Sequence, residues 1–386
     1  MTRSIYFDYN ATTPLDSAVR EAMLPFLGGG AGEVWGNPSS VHHVGRKARA
    51  LLDDARDRAA KFLGAKPSEI IFTSGGTESN NLAIFGTARA LKSKGRHLIT
   101  SAVEHDAVLQ SFDYLEKNEG FEVTRLPVDS DGRVSPEDLK KTIRKETILV
   151  SIMAANNELG TIQPVAELGA ICRDHKIIFH TDAVQWFGKE PFENLAQFNA
   201  DLVSVCAHKF HGPKGAGLLF IKSPLLPDPI LFGGGHENEH RAGTENLAGI
   251  IGLVSALEKF AVPPVFEKSK IKPLVEMLFL AIKKIEACEL VSPRAGCLAN
   301  TVSFVVRGAD SIALLAGLDV EDICASSGSA CSAGSIEPSH VVLAIGRKNL
   351  ANSLVRFSLG RNSTLAEVDF VCGALPEIIR RAQLGK

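Results

Sequence analysis

Lys209 closes an apolar run, Asp201-Leu202-Val203-Ser204-Val205-Cys206-Ala207-His208-Lys209, and a Gly/Pro loop follows it to Gly215. Lysine is among the least buried residue types. One delivered to the end of a buried strand is set up for a lowered pKa and for Schiff-base chemistry with a carbonyl. Asp182 ends a second apolar run, Ile177-Ile178-Phe179-His180-Thr181-Asp182. A carboxylate there suits a protonated ring nitrogen and holds it cationic. In Phe72-Thr73-Ser74-Gly75-Gly76-Thr77-Glu78-Ser79-Asn80-Asn81 a strand turns through glycines into a helix. The first free N–H groups of such a helix, its positive dipole end and the Thr77 hydroxyl make an anion cradle. Each stretch alone has a plainer reading: a solvated loop lysine, an N-cap aspartate, a capped glycine turn. In this order on one sheet they suit pyridoxal phosphate (PLP), with the phosphate in the cradle, the pyridinium on Asp182 and the aldehyde on Lys209.

The elements that must carry these residues follow from hydrophobic period. Arg46–Leu63 reads as an amphipathic helix with Ala48, Leu51, Leu52, Ala55, Ala59 and Leu63 on one face. Glu69–Thr73, His97–Thr100, Thr147–Ala154, Ile177–Thr181, Asp201–Val205 and Gly217–Ile221 read as short buried strands, and Glu78–Lys92 as a helix. This alternation, from about residue 45 to 255, predicts a largely parallel sheet covered on both faces, with ligands beyond the carboxyl ends of its strands. After Val262-Pro263-Pro264 the pattern changes. A long helix (Lys270–Ala287), strands at Thr301–Val306 and Val355–Leu359, and helices at Ser311–Gly317 and Leu365–Arg380 predict a smaller α+β unit.

Composition narrows the class. With 45% apolar and 22% charged residues the chain is globular, and its 386 residues allow about two domains. Its 42 basic residues against 44 acidic leave a net charge of −2, so no basic surface draws it to nucleic acid or an anionic membrane. No apolar run reaches the roughly 18 residues of a membrane span, and Ile5-Tyr6-Phe7-Asp8 is too short for a signal peptide. The seven cysteines are scattered without a CxxC pair, which argues for reduced thiols in the cytoplasm and against a structural zinc site. His42-His43 reads as a helix start. His236 and His240 sit in a glycine-rich loop, where a zinc site is not expected.

These motifs resemble the cysteine desulfurases of the NifS/IscS type, within the class V group of fold-type I PLP enzymes. The resemblance runs from Tyr9-Asn10-Ala11-Thr12-Thr13-Pro14 and Gly36-Asn37-Pro38-Ser39-Ser40 through the cradle and Glu104-His105. It continues in Asn156-Asn157-Glu158-Leu159-Gly160, Thr181-Asp182-Ala183-Val184-Gln185, Ala207-His208-Lys209 and Arg241-Ala242-Gly243-Thr244-Glu245-Asn246. It ends in Ser326-Ser327-Gly328-Ser329-Ala330-Cys331 and Arg356-Phe357-Ser358-Leu359-Gly360-Arg361. It implies a large PLP-binding domain (15–255) with a mostly parallel seven-stranded sheet flanked by helices. It also implies a smaller α+β C-terminal domain (256–386) and an N-terminal arm (1–14) joining the latter. Lys209 would be the Schiff-base lysine and Asp182 the pyridinium partner. Gln185 would bond the ring oxygen. Gly76, Thr77, Cys206, Ala207 and His208 would surround the phosphate, and Thr244 would reach the phosphate of a neighbouring subunit in a homodimer. His105 would stack on the ring and move protons, while Asn157 and Arg356 would hold the substrate carboxylate, a task that suits an arginine fork.

Cys331 sets this group apart from other PLP enzymes. It lies in the run Ala325–Ser335, mostly Ser, Ala and Gly, which predicts a mobile loop. Such a loop lets a thiolate reach the substrate sulfur and carry a persulfide outward. The implied reaction is L-cysteine to L-alanine. The sulfur passes to an acceptor, such as an iron–sulfur scaffold, for cluster or thio-cofactor synthesis. No resident metal is expected, apart from transient iron–sulfur ligation by Cys331. A selenocysteine lyase or another class V enzyme is the first alternative, and a non-catalytic sulfur-relay or assembly platform the second. Three features depart from the family pattern. Cys206 stands where a serine usually donates to the phosphate, and a thiol is the weaker donor. Ala351-Asn352 replaces an Ala-His pair. The chain ends at Lys386, short of the tail with which bacterial housekeeping members dock their scaffold, which leaves that docking open.

Overall fold

The computed structural model describes residues 4–30, 32–262, 264–328 and 338–384. Its strands in chain order are β1 (Ile5–Tyr6), β2 (Ile70–Thr73), β3 (His97–Ser101), β4 (Glu122–Leu126), β5 (Thr147–Ser151), β6 (Ile178–Asp182), β7 (Leu202–Cys206) and β8 (Gly217–Ile221). The remaining four are β9 (Cys288–Leu290), β10 (Thr301–Val306), β11 (Ile323–Cys324) and β12 (Val355–Ser358). A seven-stranded sheet runs in the order β2-β8-β7-β6-β5-β3-β4. Only β8 opposes its neighbours, pairing antiparallel with both β2 and β7; the other pairs are parallel. On one face the main core is closed by Leu52, Ala55 and Leu63 of His43–Leu63 and Leu253, Val254 and Leu257 of Leu247–Phe260; on the other, Val108, Phe112 and Leu115 of Asp106–Glu119 pack with Leu98 and Leu149. The fold is therefore the α/β arrangement that the alternation predicts.

Local sequence accounts for most of these elements. β7 and β8 are five-residue runs with every side chain buried, as strands covered on both faces require. The helix His43–Leu63 starts where His42 caps it, its Nδ1 accepting from the Gly45 N–H at 3.3 Å, and stops at Gly64 in the left-handed region. Two expectations need amending. The single helix read from Glu78 to Lys92 is Gly76–Asn81 and Thr87–Leu91 joined by a π-helical turn, Leu82–Gly86. The Gly86 carbonyl accepts from the Asp228 N–H at 3.1 Å, and a carbonyl drawn out of the ladder accompanies a widened turn. The strand β4 was not foreseen. It is an edge strand with exposed Glu122 and Arg125, and it lacks the apolar run that marked the others.

The C-terminal part builds a second core on a three-stranded antiparallel sheet, β12-β10-β9, with Lys268–Lys283, Ser311–Val320 and Leu365–Leu384 packed on it. The N-terminal residues join both parts. β1 pairs parallel with β11, and Phe7 packs edge-on against Phe357 at 6.1 Å. The chain then crosses to the loop after β7. There the Thr13 N–H donates to the His208 carbonyl at 2.9 Å and the Asp16 N–H to the His211 carbonyl at 3.0 Å.

Candidate active site

The carboxyl ends of β2, β6 and β7 meet in one cleft. Gly76, Thr77, His105, Asn157, Asp182 and Gln185 line it, as do Cys206, His208, Lys209 and Arg356. Two expected residues do not. Ala207 is fully buried beside the cleft. Thr244 is exposed and belongs to a neighbouring pocket with Thr73, Ser74 and Gly215. Its segment is tied to the cradle helix by an Arg241–Glu78 ion pair of 2.8 Å. Cys331 lies outside the described residues. The other six cysteines are free thiols.

Each side chain is held by its own element. Lys209 ends a single 3-10 turn, Ala207–Lys209, straight after β7. Its Nζ donates to the Asn10 and Ala11 carbonyls at 2.8 and 2.9 Å. Asp182 ends β6 and is buried; its Oδ2 accepts from Asn80 Nδ2 at 2.6 Å and its Oδ1 from the Val184 N–H at 2.9 Å. Two donors fix the carboxylate and leave lone pairs for a third. His105 caps the helix Asp106–Glu119. Its Nδ1 accepts from the Ala107 N–H at 3.1 Å, so the neutral ring carries its proton on Nε2. Burial first, then Lys209 and Lys214, push His208 down to about 4, so it is neutral at physiological pH; its Nδ1 pairs with Thr12 Oγ1 at 3.0 Å.

The cradle is built by absence of side chains. A Cβ on Gly76 would stand 2.8 Å from Val184 Cγ2, and Gly75 has a φ of +155°. Gly217 at the start of β8 lies so close that a Cβ there would meet Gly75 Cα at 2.7 Å. Backbone N–H groups at a helix start, an amine, a buried carboxylate and a glycine-lined floor are the donor set that PLP needs. The residues present therefore fit the cofactor.

Arg356, on β12, is almost fully buried. One terminal nitrogen donates to the Asn157 and Gly328 carbonyls at 3.0 and 2.8 Å, the other to Asp8 Oδ1 at 2.8 Å. Among the described residues its Nε has no hydrogen-bond partner, which leaves a donor for a carboxylate. Several residues that shape this cleft had not been singled out: Asn10, Asn80, Met153, Ala155 and Asp8. Asn10 was visible only as part of the N-terminal motif. Its role depends on partners 147 to 348 positions away, which no local pattern announces.

Residues 5–371 match the family model described as aminotransferase class-V. This chain belongs to the class-V aminotransferase family. The enzyme is 48% identical over 383 residues to a cysteine desulfurase IscS of Dictyoglomus turgidum, covering 99% of this chain and 96% of the relative. Among solved structures it resembles a NifS-like protein, with a TM-score of 0.88 and 36% identity over 98% of this chain and 99% of that one. It also resembles SspA in complex with cysteine, with a TM-score of 0.80 and 35% identity over 94% of this chain and 100% of that one. The fold is thus that of the NifS-like, fold-type I PLP enzymes, and the enzyme is PLP-dependent.

Proposed function

We propose that this enzyme is a cysteine desulfurase that converts L-cysteine to L-alanine and holds the sulfur on Cys331. The observation that carries the reading is the joining, in one cleft, of a complete PLP donor set to a buried arginine whose Nε has no partner among the described residues. The names of the relatives agree with it.

Lys209 would hold the cofactor through its amine, Asp182 would pair with the ring nitrogen and Gln185 with the ring oxygen. Gly76, Thr77, Cys206, Ala207 and His208 surround its phosphate. When bound, PLP supplies the electron sink that lets the substrate Cα lose its proton. Arg356 and Asn157 take the substrate carboxylate and so orient Cα and the thiol in the cleft. The Lys209 amine would move the α-proton. His105, in the cleft wall, would move a second proton through Nε2. The Cys331 thiolate attacks the substrate sulfur. The S–S bond forms, the C–S bond breaks, and its electron pair stays with the carbon, which is protonated to give alanine. The sulfur then passes to an acceptor protein such as an iron–sulfur scaffold. No resident metal takes part; Cys331 would ligate iron only in transit.

The enzyme works as a homodimer in which Thr244 reaches the partner's phosphate. Its exposed position outside its own cleft supports this, as do the exposed apolar side chains of Trp35, Val41 and Phe232. A reducing, cytoplasmic setting suits the free thiols. The test is product analysis with L-cysteine and L-selenocysteine. Alanine from cysteine, abolished in Lys209→Ala together with the visible cofactor band, supports the reading. Pyruvate as the main product makes the enzyme a β-eliminating one. Turnover of selenocysteine alone makes it a selenocysteine lyase.

A further inference from the structure

Lys189 is only 2% exposed, and the proposed chemistry does not use it. It lies in the turn after β6, four residues beyond Gln185. Its Nζ donates to Gln185 Oε1 and, at 2.7 Å, to Asn10 Oδ1. Gln185 Nε2 donates to the Asn10 carbonyl at 2.9 Å, and the same carbonyl accepts from Lys209 at 2.8 Å. The Asn10 carbonyl can only accept, so Nε2 belongs on that side and Oε1 is left for Lys189. Asn10 is fixed in the same way: its Oδ1 faces Lys189, while its Nδ2 donates to Thr301 Oγ1 at 2.9 Å and the Asn157 carbonyl at 3.2 Å. Among the described residues no carboxylate bonds the amine. The charged groups that act on it are Lys209 and Arg356, which disfavour its charge, and Asp8, which favours it. A buried lysine without a bonded counter-ion is costly to fold around, which calls for a task.

We infer that Lys189 is a positioning residue. It fixes the amide of Gln185 from behind and polarises it, so that Nε2 is held as the donor to the cofactor's ring oxygen. Hydrogen bonds in a chain strengthen one another. A donor on Oε1 makes the Nε2 hydrogens more positive. That donor favours negative charge on the ring oxygen, which is greatest when the proton on the lysine–cofactor linkage is gone. Lys189 therefore lowers the pH at which that proton leaves. The inference rests on the assignment of Lys209 and Gln185 to the cofactor made above.

The test is a pH titration of the visible cofactor band of the purified holoenzyme, without substrate. Lys189→Met fills the buried volume but donates nothing. It is expected to raise the titration midpoint by about half a unit or more, and Lys189→Gln, which restores an N–H donor, to move it back toward the wild type. Gln185→Leu is expected to raise the midpoint as well, and adding Lys189→Met to it should change nothing further, since Lys189 acts through Gln185. A midpoint moved by Gln185→Leu but not by Lys189→Met overturns the inference, even if thermal stability falls. Equal, additive shifts from the two variants overturn it too, because Lys189 would then act on its own. A midpoint that Gln185→Leu leaves in place instead overturns the assignment of Gln185.

Discussion

Cys206 ends β7 in the wall of the cradle, buried, with its Sγ 4.0 Å from the Ala216 carbonyl. Burial pushes the thiol above its ordinary range, so it stays protonated and would offer a phosphate in the cradle only a weak S–H donor. Cys206→Ser puts a stronger donor in nearly the same volume. Cofactor retention should tighten several-fold, as read by the dissociation constant from PLP release during dialysis. Glu104, beside His105, has the opposite problem of a buried group with too few partners. Ser101 Oγ and the Met153 N–H bond its Oε1 at 2.6 and 2.9 Å, while Oε2 has no partner among the described residues. Burial raises its pKa from 4.5 to about 8. The folded carboxyl thus keeps a proton that the unfolded chain releases. Its contribution to stability is complete below about 4.5 and is lost as the pH rises through about 8. Glu104→Gln should remove that slope: denaturant midpoints at pH 6 and pH 9 should differ less in the variant than in the wild type. At this scale the sequence showed side chains whose position in a strand marks them, such as Asp182 and Lys209. It hid Lys189 and Asn80, whose meaning lies in a partner across the fold.

At the scale of elements, the cradle depends on β8 lying flat against it. Gly217 pairs with both Thr73 and Cys206, and a Cβ there would come within 2.8 Å of the Val205 carbonyl as well as reach Gly75. Both neighbours are backbone and cannot swing away. Gly217→Ala should destabilise the fold by about 1–3 kcal/mol and weaken PLP retention, measured by thermal melts with and without added cofactor. The strands that carry the site were legible because they are continuous apolar runs, fully buried from β5 through β8 apart from Ile178 at the start of β6. β4 and β9 were not. They are edge strands of their sheets and hold few fully buried side chains. The π-helical turn was equally silent, since nothing near Gly86 in sequence points to Asp228.

Across the whole molecule, the N-terminal arm ties the two cores to the lysine. Asn10 alone bonds Ser358 and Thr301 on the smaller sheet and Gln185, Lys189 and Lys209 in the turns that follow β6 and β7 of the larger one. Asn10→Ala keeps the backbone contacts but removes one of the two side-chain acceptors of the Lys189 amine and the amide donor to Thr301 Oγ1. It should cost about 1–3 kcal/mol, seen as a lower melting temperature. The α/β class and the change of pattern near residue 255 could be read from period alone. The crossing of the arm could not, because five short contacts spread over the chain leave no periodic trace. The account as a whole stands on Cys331 receiving sulfur in the cleft that Lys209 and Arg356 define. Its most direct measurement is mass-spectrometric mapping of persulfide on the enzyme after L-cysteine, with alanine quantified alongside. The account predicts one persulfide, on Cys331, and loss of both persulfide and alanine in Cys331→Ala. Alanine undiminished in Cys331→Ala, or persulfide found only on Cys206, would contradict it.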